Sequence, residues 1–161
     1  MDKVYDKCCG IDVHKKLMVA CLMTGNRREI REFGATTREL LSLADWLKEH
    51  GCQIAAMEST GSYWKPLYNI LEASGLEAIV VNARHMKAVP GRKTDVRDAE
   101  WITDLLQHGL LRPSYIPDKD QRELRELVSY RKSLVGERTR ELNRLQKMLE
   151  GANIKISGTV S

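Results

Sequence analysis

Four carboxylates in short motifs are the residues of this chain best placed to do chemistry. They are Asp12 in Gly-Ile-Asp-Val-His, Glu58 in Ala-Met-Glu-Ser-Thr-Gly, and Asp95 with Asp98 in Lys-Thr-Asp-Val-Arg-Asp-Ala. Asp12 interrupts an apolar, strand-like run, and Glu58 ends another. Asp95 and Asp98 open a helix-like segment at a spacing that puts both on one face. If folding gathers these acids they repel: two carboxylates about 4 Å apart cost roughly 4 kcal/mol at an effective dielectric of 20. A cation between them removes that cost, and hard oxygen donors suit Mg2+, with Mn2+ as the alternative. The pattern points to metal-dependent phosphodiester chemistry, in an enzyme or a piece of one. Each acid also has a plain structural use. Asp95 can cap a helix with Asp98 in its first turn, and Glu58 can be a surface acid at a strand end. Asp12, inside an apolar strand, is the hardest to explain without a ligand.

The neighbours of these acids divide between chemistry and packing. His14 follows Asp12 at strand spacing, so both side chains share a face; it is read either as an aid to the site or as an ordinary surface histidine. Arg84, Lys87, Arg92, Lys93 and Arg97 flank Asp95 and Asp98 and can hold nucleic-acid phosphates. A solvated surface is the plain alternative. Tyr63 and Trp64 can stack on bases or pack at a helix start, while Trp46 and Trp101 fall on apolar helical faces and read as core. No P-loop or dinucleotide motif is present. Actin-like phosphotransferases carry a glycine-rich phosphate turn between their first two strands, and here that place is Val13-His14-Lys15-Lys16.

The elements that must position the acids follow from hydrophobic patterning. Cys8–Val13, Leu17–Thr24 and Glu29–Phe33 read as an antiparallel meander with a turn at Gly25-Asn26. A helix capped by Thr36 or Thr37 runs to His50, with Gly51 as its stop. Gln53–Met57 is a fourth strand, Tyr63–Ser74 a second helix, and Glu77–Val81 a fifth strand. A further helix covers Asp95–His108, after an irregular basic connection from Asn82 to Thr94. This order predicts an α/β, ribonuclease-H-like mixed five-stranded sheet with flanking helices. Residues 1–112 form that domain, 113–118 a linker marked by Pro113 and Pro117, 119–150 a long helix, and 151–161 a polar tail. The helix carries a heptad-like stripe of Leu124, Leu127, Val128, Leu134, Val135, Leu142, Leu145, Met148 and Leu149, broken by Arg131 and Arg138. At 1.5 Å per residue it spans about 48 Å, which favours burial against a partner helix, and so a homo-oligomer.

Composition sets outer bounds. The chain has 161 residues, 42% hydrophobic and 30% charged, enough for one core and an appendage. No apolar run approaches the roughly 20 residues that cross a bilayer, and the N-terminus lacks the apolar core of a secretion signal. Cys8, Cys9, Cys21 and Cys52 form no C-x-x-C pair and read as buried reduced thiols, which predicts a cytoplasmic protein. The net charge of +4 is mild. It is concentrated, however: Arg84, His85, Lys87, Arg92 and Lys93 occur without an intervening acid, and residues 119–150 carry nine Lys/Arg against six Asp/Glu.

Gly10-Ile-Asp-Val-His-Lys15, Met57-Glu-Ser-Thr-Gly61, Asn82-Ala-Arg84 and Lys93-Thr-Asp-Val-Arg-Asp-Ala99, in this order and spacing, resemble the DEDD transposases of bacterial insertion sequences. These are bridge-RNA-guided recombinases related to Piv-type DNA invertases. The resemblance covers residues 8–150. It implies a RuvC-like domain followed by a coiled coil, with Asp12, Glu58, Asp95 and Asp98 as both catalytic and metal-binding residues. Two Mg2+ ions would serve phosphodiester cleavage, with DNA and a guide RNA as partners and the bacterial nucleoid as the place of action. It further implies a C-terminal domain with a nucleophilic serine that gives a covalent protein–DNA intermediate. No serine here fills that role: Ser157 and Ser161 lie in the tail, so the chain is expected to be a truncated form. The rival expectation is a catalytically inert module that binds nucleic acid and dimerises.

Overall fold

A computed structural model describes residues 3–82, 84, 86 and 98–155. The chain divides into two units, residues 1–115 and 116–161. In the first, β1 (Lys7–Val13), β2 (Leu17–Thr24) and β3 (Arg27–Gly34) precede α1 (Thr37–Glu49), β4 (Ile54–Glu58), α2 (Trp64–Ala73), β5 (Ala78–Val81) and α3 (Asp98–Gln107). The second holds α4 (Lys119–Gly151). Asp95, Lys87, Arg92, Lys93 and Arg97, and most of the expected basic connection, lie outside the described residues.

The strands form one sheet in the order β3-β2-β1-β4-β5. β1–β2 and β2–β3 are antiparallel, whereas β4 lies parallel to β1 and β5 parallel to β4. That is the ribonuclease-H-like arrangement expected from the order of elements. Local chemistry explains its connections. Thr24 pairs with Arg27 across a two-residue turn whose first residue, Gly25, has φ +62°, the geometry of a type II′ hairpin. The parallel strands instead need crossovers, and α1 and α2 supply them. Thr36 caps α1 by accepting the Glu39 N–H, and Gly51 ends it at φ +66°.

Alternation along the strands sorts side chains onto two faces. Cys9 and Ile11 of β1, Met18, Ala20 and Leu22 of β2, and Ala55 and Met57 of β4 occupy one face, all buried. Leu40, Leu43 and Leu47 of α1 and Leu67 and Leu71 of α2 are fully buried with them. On the opposite face Cys8, Met23, Ile54, Ala56 and Val81 meet Ile102, Leu105 and Leu106 of α3 in a single cluster. Burying each such aliphatic side chain contributes on the order of 1.5–3 kcal/mol before chain entropy is counted. All four cysteines are buried and unpaired.

In the second unit Asp118 caps α4 by accepting the Gln121 N–H at 2.8 Å. None of the helix's residues is buried: Leu127 is 67% and Met148 75% exposed. Within this unit its apolar stripe is exposed. No helix among the described residues is long and apolar enough to cross a membrane.

Candidate acidic active site

Asp12 lies near the end of β1, the central strand, on the face that α3 covers. Residues two apart in a strand share a face, so Cys8, Gly10 and Asp12 line up, as do Ile54, Ala56 and Glu58 on β4. The pairing of β1 with β4 runs from Cys8↔Ile54 to Ile11↔Met57. One further step in that register sets Asp12 beside Glu58, on strands about 4.8 Å apart. Glu58 thus closes β4 as part of the strand, one residue beyond the end read from sequence. The third acid arrives from above: Asp98 is the first residue of α3, next to Ala99, which is buried against β1.

The electrostatics of Asp12 reflect this convergence. Its carboxyl is raised above the ordinary aspartate value, first by burial; His14 pulls it back down, and the charges of Asp98 and Glu58 push it up. The side chain is 17% exposed, and its Oδ2 lies 2.9 Å from His14 Nε2. His14 therefore touches the site, although its own side chain is 57% exposed. Glu58 has a partner of its own, since Thr60 Oγ1 donates to Glu58 Oε1 at 2.8 Å. In the sequence Thr60 stands out only within the motif Met57-Glu-Ser-Thr-Gly61. The spacing Glu-x-Thr before a glycine at positive φ (Gly61, φ +54°) is the signal that could have found it.

Asp12, Glu58 and Asp98 are thus brought together from three elements, while Asp95 lies outside the described residues. Carboxylates are the only charged donors in the group, a set suited to a hard divalent cation, and the mutual repulsion felt at Asp12 is what such an ion would relieve. Among the described residues, no three His, Cys, Asp or Glu side chains are already closed into a ligand cage. The chemistry of the donor set, carboxylate oxygens alone, fits a hard divalent cation. Of the basic residues singled out, Arg84 is described: it is exposed, and its N–H donates to Asn82 Oδ1 at 2.9 Å. Tyr63 is 40% exposed ahead of α2, and Trp64 instead packs edge-on against Tyr68. Trp46 is buried and Trp101 partly buried, as core positions should be.

The sheet order and the carboxylates on its α3 face place the chain among ribonuclease-H-like α/β proteins. It belongs to the IS110-type DEDD transposase family, whose model, described as "Transposase", matches residues 9–154. The chain is also 30% identical over 132 residues to y4qE of Sinorhizobium fredii, a transposase by name. That match takes in 78% of this chain and 34% of y4qE, so the chain spans about a third of the relative's length. Among solved structures, the chain is similar to Thermus thermophilus RuvC in complex with a Holliday junction substrate, at a TM-score of 0.47 and 8% identity over 68% of this chain and 100% of that one. A second Thermus thermophilus RuvC structure aligns at a TM-score of 0.45 and 10% identity, over 67% of this chain and 99% of that one.

Proposed function

We propose that this chain supplies the acidic, metal-dependent DNA-cleaving centre of an insertion-sequence transposase that cuts and exchanges DNA strands with the help of a guide RNA. One observation carries the reading: Asp12, on the α3 face of β1, feels the charges of both Glu58 on β4 and Asp98 on α3. In it Asp12, Glu58 and Asp98, with Asp95, hold Mg2+ or Mn2+. When bound, the ion supplies Lewis-acid stabilisation of a phosphodiester under attack and of its leaving oxygen. The chain's own groups prepare the site. His14 fixes the Asp12 carboxylate from one side, Thr60 fixes Glu58, and α3 delivers Asp98. The nucleophile is a serine of a further domain in the full-length protein. Arg84, Lys87, Arg92, Lys93 and Arg97 hold DNA or guide-RNA phosphates beside the acids. The protein acts in the cytoplasm, at the nucleoid.

The exposed stripe of α4 favours a second element of the reading, homo-oligomerisation through residues 119–150. If the acids prove dispensable, that stripe and the basic residues leave an inert module that binds nucleic acid and dimerises. Asp12→Asn and Asp98→Asn separate the two. In the full-length transposase each should abolish Mg2+-dependent strand exchange while guide-RNA binding persists, whereas wild-type recombination by either variant removes the acidic centre. Charge reversal at Arg84, Lys87 and Arg92 should weaken RNA and DNA binding and flatten its salt dependence by roughly one unit of slope per lost phosphate contact.

A further inference from the structure

We infer that Thr103 of α3 is a positioning residue for the acidic site: its hydroxyl, seated in the backbone of the central strands, sets how closely Asp98 approaches Asp12. This rests on the acidic-site reading above. Thr103 is completely buried, one of only two buried polar or charged side chains among the described residues. Its Oγ1 accepts the Gly10 N–H at 3.0 Å, and its single proton faces two carbonyls, Cys21 at 2.9 Å and Ala99 at 2.7 Å. One hydroxyl thus joins α3 to β1 and β2 at the residue pair Gly10↔Cys21. Gly10 makes the seat possible. A Cβ built there would lie 2.5 Å from Ala99 O, from Thr103 N and from Thr103 Oγ1.

The seat lies behind both acids, inward along β1 and along α3, and limits the freedom in their spacing. Gly10 shares the face of Asp12 two residues along β1, and Thr103 stands five residues, under two helical turns, from Asp98. Beside this seat and the apolar cluster, α3 is also held at its rim by ion pairs. Arg28 of β3 donates to Glu100 at 3.1 Å and to Asp104 at 2.5 Å, and these side chains are 21–34% exposed. Partly exposed ion pairs of this kind contribute less to fixing a position. A buried hydroxyl bonded to two strands and a helix fixes one, because its three bonds are shielded from competing water.

The test is Mn2+ binding to the full chain, followed by electron paramagnetic resonance, alongside thermal unfolding in chelator and hydrogen exchange at the Gly10 amide. Thr103→Val removes the hydroxyl at nearly constant volume, Thr103→Ser restores it, and Leu47→Ala damages a part of the core outside the cluster beneath α3. Thr103→Val should weaken Mn2+ about tenfold, the low end of the loss when a group that orients metal ligands is removed, and should speed Gly10 exchange. Thr103→Ser should bind within about twofold of wild type. Leu47→Ala should lower the melting temperature and leave Mn2+ affinity unchanged. Should Thr103→Val not fold, Thr103→Ala carries the same expectation. Wild-type affinity in the hydroxyl-less variant, or equal weakening by Leu47→Ala, overturns the positioning role. Mn2+ binding that survives Asp12→Asn instead overturns the acidic-site reading on which it rests.

Discussion

Replacing Gly10 with alanine tests the contact on which the site is built. The new methyl would meet three α3 atoms at 2.5 Å, two of them backbone and the third the hydroxyl that is itself bonded to the strand. Ordinary contact begins near 3.4 Å, so α3 must retreat by 3.4 − 2.5 = 0.9 Å or β1 must bend. Overpacking of this kind costs about 1–3 kcal/mol. A retreat also stretches the Thr103 bonds to Gly10 and Cys21, at about 1 kcal/mol each. The sum is about 3–5 kcal/mol, a large part of the stability of a domain this size. Urea unfolding followed by far-ultraviolet circular dichroism should show the midpoint falling with little change in slope. A loss below about 0.5 kcal/mol would refute the close seating of α3 on β1, and with it the account of how Asp98 reaches Asp12.

Removing the rim contact should do much less: Arg28→Ala is expected to cost under about 1 kcal/mol by the same urea assay, because its ion pairs are partly exposed. The buried thiols predict alkaline sensitivity. Burial raises Cys8 to about 12 and Cys52 to about 11, with neighbouring thiols adding to the rise at Cys8. Because the folded state holds these protons more tightly, their stabilising contribution is fully present below the ordinary thiol value near 9 and fades as pH climbs toward 11–12. Urea midpoints should therefore drop between pH 9 and 11, less so in Cys52→Ala, and a thiol reagent at pH 8 should react only after unfolding. Glutamates at Leu127 and Leu134, on the uncovered stripe of α4, should leave the unfolding of residues 1–115 within about 0.5 kcal/mol of wild type. The same pair should reduce the mass seen by light scattering to that of a monomer.

Much of this arrangement was legible in the sequence, for reasons that differ by element. The strands declare themselves through runs such as Leu17–Thr24, and α1 through Thr36, its spaced leucines and Gly51, because local sterics and capping write those signals into neighbouring residues. Asp12 stood out as a charge inside an apolar strand. Its position beside Glu58 needed the strand pairing, which no local window contains. The seat beneath α3 was not legible at all. Gly10 and Thr103 are 93 residues apart, and a lone threonine in a helix looks like any other polar position until the sheet lies against it. The contact of His14 with Asp12 was visible only as shared strand parity. For α4 the pattern gave an apolar stripe and no partner, because a heptad repeat describes one side of an interface.

The parallel pairing of β1 with β4 carries an implication for how this protein can change. Successive side chains of β4 point to opposite faces, so a shift of one residue would drive Glu58 into the buried layer and turn Met57 out among the acids. A single-residue deletion near Gln53, harmless by composition, would part Glu58 from Asp12 while every acid in the chain remained. Deletions of two residues would restore the orientation and displace the carboxylate by a full pleat. The spacing between Gly51 and Glu58 is therefore as much a part of this acidic arrangement as the acids themselves.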